Sequence, residues 1–148
     1  APLGLTCLNE AAAGRFNAFF NSVINDDVNA VRLLIKYGAD VNAVDSKSGA
    51  SLLDYAAHPG SYNMIRYLLE FIDIDVCDND LVTPLMTAAM MGQRENVEYL
   101  VVHNCDVNAV DNQNFSALMY AISSDERYIA ESNINKSLYI CLYYLNPH

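Results

Sequence analysis

Asp40-Val41-Asn42-Ala43-Val44-Asp45 returns as Asp73-Ile74-Asp75-Val76-Cys77-Asp78, and again as Asp106-Val107-Asn108-Ala109-Val110-Asp111. The three openings, at 40, 73 and 106, lie 33 residues apart. A fixed period of that length marks a chain of stacked supersecondary units, each too small to bury its own apolar face and completed only by its neighbours. Such stacks offer extended surfaces rather than enclosed reaction chambers. The period therefore points to adhesion to another macromolecule.

The residues between the hexads sharpen this. Thr83-Pro84-Leu85-Met86-Thr87-Ala88-Ala89, then Gly92, then Val97-Glu98-Tyr99-Leu100-Val101, lead into Asp106-Val107-Asn108. This order resembles the ankyrin repeat, whose pattern is T-P-L-H-x-A-A, a glycine, V-x-x-L-L and G-A-D-V-N. Met86 replaces the histidine, and Asn104-Cys105 replaces the late Gly-Ala. Ser51-Leu52-Leu53-Asp54-Tyr55-Ala56-Ala57, Gly60 and Ile65-Arg66-Tyr67-Leu68-Leu69 form a looser copy, and Val31 to Asn42 matches the second half of a unit almost letter for letter.

The resemblance covers roughly residues 17 to 145. It implies an all-α ankyrin-repeat solenoid of about four helix-turn-helix repeats with projecting hairpin loops, forming one domain over 1–148. Residues 1–16 are expected to hold a capping helix, Thr6 to Gly14, ahead of repeats at about 17–44, 45–77, 78–110 and 111–148. The first repeat has lost the T-P-L-H pattern at Asn17-Ala18-Phe19-Phe20, as suits an end unit. The fourth keeps Ser116-Ala117-Leu118-Met119-Tyr120-Ala121, inserts Ser124 to Asn135, and ends in a helix from Lys136 to Leu145 whose few charges leave its outer side apolar.

Local chemistry agrees. Thr83 is placed to cap a helix whose first position, Pro84, needs no N–H. Leu85, Ala88 and Ala89 give that helix an apolar face, Gly92 punctuates the turn, and Val97, Leu100 and Val101 form a buried stripe on a second helix, Glu95 to Val102. Asp45, Asp78 and Asp111 recur with the period, so turn chemistry accounts for them.

Composition sets the limits. A length of 148 residues with 53% hydrophobic content suits one domain with a continuous core. No apolar run is long enough for a membrane span, and the N-terminus lacks the layout of a signal peptide. A chain that opens on Ala1 rather than Met reads as processed or excised. Cys7, Cys77, Cys105 and Cys141 show no metal spacing and are expected to be reduced, buried thiols of an intracellular protein. No phosphate loop or metal cluster accompanies His58, His103 and His148, so neither catalysis nor a cofactor is expected; His103 and Cys105, two apart, are the nearest approach to a reactive pair. The formal charge of −10 repels phosphate backbones and anionic headgroups, leaving a basic or neutral protein as the expected partner of a monomer.

By the resemblance, the residues facing that partner lie at the hairpin tips and on the concave side. They are Ser46, Lys47, Ala50, His58 and Pro59 in the second repeat, Asn79, Asp80, Val82, Met90 and Met91 in the third, and Asn112, Gln113, Phe115, Ser123 and Ser124 in the fourth. Val82, Met90, Met91 and Phe115 place apolar surface where water would otherwise be, and methionine adapts readily to a partner. Asn42 and Asn108, each eight residues after a leucine in a D-V-N turn, look like the ankyrin asparagines modified by asparaginyl hydroxylases; their simpler role is to tie their own turns by side-chain hydrogen bonds. The expected function is a protein-interaction scaffold, adaptor or inhibitor. The alternative is a substrate-docking module of a larger enzyme, and the richness in Asn, Ile and Tyr fits the AT-rich genome of an intracellular bacterium, protist or virus that deploys such a module as an effector.

Overall fold

The structure is a computed structural model that describes residues 17–57 and 62–128. The Thr6–Gly14 helix, His58, Pro59, the helix from Lys136 to Leu145 and the thiols Cys7 and Cys141 lie outside the described residues. Among the described residues the helices are, in order, α1 (17–24), α2 (Val28–Lys36), α3 (Leu52–Ala57), α4 (Tyr62–Leu68), α5 (Pro84–Met90), α6 (Arg94–Val102) and α7 (Ala117–Tyr128). First helices pack side by side as α3 on α5 and α5 on α7, and second helices as α2 on α4 and α4 on α6. The core lies between these two layers.

The first helices begin in one way. Thr83 Oγ1 accepts the Met86 N–H at 3.3 Å, Ser51 Oγ accepts the Asp54 N–H at 3.2 Å, and Ser116 Oγ accepts the Met119 N–H at 3.3 Å. Each hydroxyl satisfies an amide that has no partner inside its own helix. Pro84 sits buried at the start of α5, as expected. The α2 helix opens instead on Asp27, whose Oδ1 accepts the Ala30 N–H at 3.0 Å.

Helix faces follow the apolar spacing. Leu52, Leu53, Ala56 and Ala57 of α3 and Leu85, Met86, Ala88 and Ala89 of α5 are buried, and the alanines allow close approach between neighbouring helices. Leu68 and Leu100 have no exposed surface. On α6, however, the fully buried residues are Asn96, Val97 and Leu100, with Val101 only half-buried. Asn96 takes the place of Met64 in the preceding helix, and neither atom of its amide has a hydrogen-bond partner among the described residues. In the fourth repeat α7 runs on through Ser123 and Ser124 to Tyr128, into the stretch expected as an insertion. Cys105 is buried as foreseen, whereas Cys77 is exposed.

Candidate functional site

Each hexad is bracketed by two aspartates that fold the backbone around themselves. The leading carboxylates, Asp40, Asp73 and Asp106, accept the N–H two residues on, from Asn42, Asp75 and Asn108, at 2.9, 2.9 and 3.0 Å. The trailing ones, Asp45, Asp78 and Asp111, accept from Lys47, Asp80 and Gln113 at 3.1, 2.8 and 2.9 Å. These are Asx turns, the geometry a short acceptor side chain imposes on its own chain. The ties around Asn42 and Asn108 are thus made by the preceding aspartates, and both asparagine side chains are exposed.

Asp78 and Asp111 each close a five-residue hairpin tip. Their Oδ1 atoms also accept from Val82 and Phe115, both at 3.0 Å. The fourth residue of each tip must then turn through the left-handed region, as Asn114 does at φ 63° and Leu81 at φ 64°. The longer Asp45 loop uses Gly49 at φ 72°. Glycine and asparagine enter that region readily, whereas a leucine pays a steric penalty between its Cβ and the carbonyl. Leu81 nevertheless stands there with its side chain 49% exposed. A bulky aliphatic at the place of Gly49 and Asn114 is a signal that the sequence carries.

Several expected partner-facing residues hold the stack together. Asn79 donates from Nδ2 to the Lys47 carbonyl at 3.3 Å and from its backbone to Ser48 at 2.9 Å. Gly49 admits that contact, since a β-carbon there would lie 2.3 Å from Asn79 Oδ1. Asn112 repeats the arrangement one unit on, bonding Asp80 through Nδ2 at 3.2 Å and through its backbone at 2.9 Å. Hairpin is thereby tied to hairpin. Ala50 is buried inside the stack and Val82 is half-buried against the core. Both were expected at the surface; the turn points them inward because their N–H and C=O groups close the loop.

What remains exposed is a chemically coherent set. Met90 and Met91 at the end of α5 are each 41% exposed, Phe115 is 44% exposed, and Ser46, Lys47, Asp80, Gln113 and Ser123 are exposed. The side chain of Ser124 lies outside the described residues. Behind the set runs a row of polar anchors on the first helices. Tyr55 donates to Asp45 at 3.1 Å and packs edge-on against Phe20, Thr87 donates to Asp54 at 2.6 Å, and Tyr120 donates to Asp111 while its ring meets Phe115 edge-on with centroids 5.7 Å apart. The Tyr120 hydroxyl holds the Asp111 carboxyl below its ordinary range, helped by the backbone N–H groups of Phe115 and Gln113, and the carboxylate in turn pushes the Tyr120 phenol up to about 12. Asp45 is lowered chiefly by the Lys47 N–H, while burial, reinforced by Asp45, raises Tyr55.

His103 and Cys105 stand in different surroundings. His103 is exposed and stacks on Tyr99, with Nδ1 2.8 Å from the Tyr99 carbonyl oxygen, while Cys105 is buried and its thiol is pushed up to about 12 by burial and then by Asp75 and Asp106. Among the described residues no cluster of three or more His, Cys, Asp or Glu could hold a metal ion.

A family profile described as ankyrin repeats, in three copies, matches residues 4–80 and 70–138. The chain belongs to the ankyrin repeat family. It is similar to an ankyrin repeat protein of fowlpox virus, 28% identical over 138 residues, which are 88% of this chain and 32% of that protein. It is similar too to the ankyrin repeat and KH domain-containing protein mask of Drosophila melanogaster, 40% identical over 90 residues, 57% of this chain and 2% of mask. Human neurogenic locus notch homolog protein 2 matches at 35% over 94 residues, 62% of this chain and 4% of the longer one. The chain spans about a third or less of the length of these relatives. Ankyrin repeats generally mediate protein–protein interaction and are typically non-catalytic. No helix among the described residues is long and apolar enough to cross a membrane.

Proposed function

We propose that this chain is a non-enzymatic, protein-binding ankyrin scaffold, an adaptor or inhibitor that works as a monomer inside the cell. It engages a basic or neutral protein partner through the hairpin tips and first-helix face of repeats 2 to 4, without nucleic acid, membrane or cofactor. The observation that carries this reading is the exposure of Leu81, Met90, Met91 and Phe115 beside the hairpin tips, with Val110, Met119 and Ile122 exposed as well on the third and fourth units. Interface energy concentrates in such anchors, ringed by polar residues that exclude water; Ser46, Lys47, Asp80 and Gln113 supply that rim.

A second reading is supported by the small share of each relative that the chain spans. In it this chain docks substrates for a catalytic domain elsewhere in a longer protein, and the fowlpox relative makes a viral effector one setting for that role. The same face serves both readings. The test is affinity capture of a partner followed by hydrogen exchange of the complex. Protection at the hairpin tips 78–82 and 111–115 is expected; protection confined to the second helices would remove the proposal.

A further inference from the structure

The layer of second helices carries a groove that the stack does not need. In the V-x-x-L-L pattern the two variable positions hold Arg32 and Leu33, then Arg66 and Tyr67, then Glu98 and Tyr99; Arg32, Leu33 and Arg66 are exposed, while Tyr67 and Tyr99 are half-buried along the edge of the core. The Arg32 guanidinium lies over the Tyr67 ring, 5.1 Å from its centroid, and that of Arg66 lies over Tyr62 at 5.7 Å. Tyr62 meets Tyr99 edge-on at 5.3 Å, and His103 stacks on Tyr99 at 3.9 Å. An aromatic track therefore crosses from α4 to α6, with one arginine from α2 and one from α4 held on tyrosine faces.

The rings of Tyr67, Tyr99 and His103 border a groove of about 640 Å³ whose lining also includes Arg32, Arg66 and Glu70. Glu70 is the one carboxylate lining this groove, in a chain with 18 acidic and 8 basic residues, and Glu95 and Glu98 line the adjoining hollow that shares Tyr99 and His103, so the positive end of the track is at Arg32 and Arg66. Neither guanidinium is paired with a carboxylate among the described residues; their contacts are with rings. A guanidinium lying on an aromatic face is already oriented, and its planar fork of donors remains available for a bidentate carboxylate. Tyrosine and arginine are also the residues that dominate binding hot spots. We propose that this groove is a second docking surface, which takes an acidic segment of a partner protein laid across α2, α4 and α6 with carboxylates on Arg32 and Arg66 and an apolar side chain on the tyrosines. It lies on the layer opposite the first-helix face, so the two sites are independent.

The test is selection of a phage-displayed library of random dodecapeptides on the full chain, followed by titration of the synthesised consensus peptide. The selected peptides are expected to be rich in Asp and Glu. Affinity should fall by about tenfold or more in the Arg32→Gln/Arg66→Gln variant, and equally when the acidic residues of the peptide are replaced by their amides. Arg32→Lys/Arg66→Lys should rescue it only in part, because the charge returns without the fork. The variant carrying Met90→Ser, Met91→Ser and Phe115→Ser should bind the peptide as the parent does, and helicity should be unchanged throughout. Failure to select peptides, selection without acidic enrichment, indifference to the arginine changes, or tighter arginine-dependent binding of a single-stranded dodecanucleotide would each overturn the proposal.

Discussion

Leu81 holds a conformation that its unit could obtain at less cost. The αL position costs an L-residue about 1–2 kcal/mol, and glycine would return part of this as unfolded-state entropy. Leu81→Gly is therefore expected to raise the urea midpoint by an amount equivalent to roughly 1 kcal/mol or less, while weakening partner binding, because the exposed side chain is lost. A lower midpoint would show that the leucine's own contacts outweigh its strain, and undiminished binding would show that Leu81 is not an anchor. The capping role of Thr83 was legible because cap chemistry is local, and Ser51 and Ser116 repeat it at the same place in their own units. Which residue ties the D-V-N turn was not, since Asp and Asn both tie such turns and only the coordinates assign the bond to Asp40 and Asp106. With both side chains exposed, Asn42 and Asn108 stand as candidate hydroxylation sites. Incubation with an asparaginyl hydroxylase should add one oxygen atom per modified site to the intact mass; no change beside a modified control ankyrin would end that idea.

Helices and hairpins show where periodicity suffices and where it fails. Leu68 and Leu100 were placed inside by spacing alone and have no exposed surface. Leu100→Ala or Leu68→Ala should cost about 2–5 kcal/mol in denaturant unfolding, and an unchanged midpoint would contradict the register. Asn96 escaped the same reasoning, because a polar letter at a buried position is invisible to an apolar count. Between helix and hairpin, the Tyr120–Asp111 bond makes a pH-dependent tie. The folded phenol titrates near 12 against about 10 unfolded, so its contribution is complete below pH 10 and drains away between 10 and 12. The Asp111 carboxyl is shifted the other way, so its contribution is complete above the unfolded value near 3.9 and is lost as pH falls below it. Tyr120→Phe should lower the thermal midpoint at pH 7 and flatten the decline above pH 10; melts across that range that match the parent would show the bond to be unimportant.

The whole molecule presents two layers with different chemistry, and only their order could be read in advance. A 33-residue period specifies the stack because each unit must bury its face on the next, so the stacked fold was legible from three hexads, and the family from the Thr83–Ala89 and Val97–Val101 stretches between them. The expected face was harder to read. The expected partner-facing residues divide into those whose groups are used to tie the stack, as the exposed Asn79 and Asn112 do, and those with no such tie across units among the described residues, as Phe115 in its hairpin and Met91 at the end of α5, and that division depends on distances across units. Rim charges such as Asp80 should tune encounter rate and salt dependence more than affinity. The claim that the exposed apolar set on the first-helix side is the binding site is tested most directly by titration calorimetry of a captured partner against the variant carrying Met90→Ser, Met91→Ser and Phe115→Ser. Loss of measurable binding is expected, with helicity and thermal midpoint close to the parent's; binding as tight as the parent's would contradict the account.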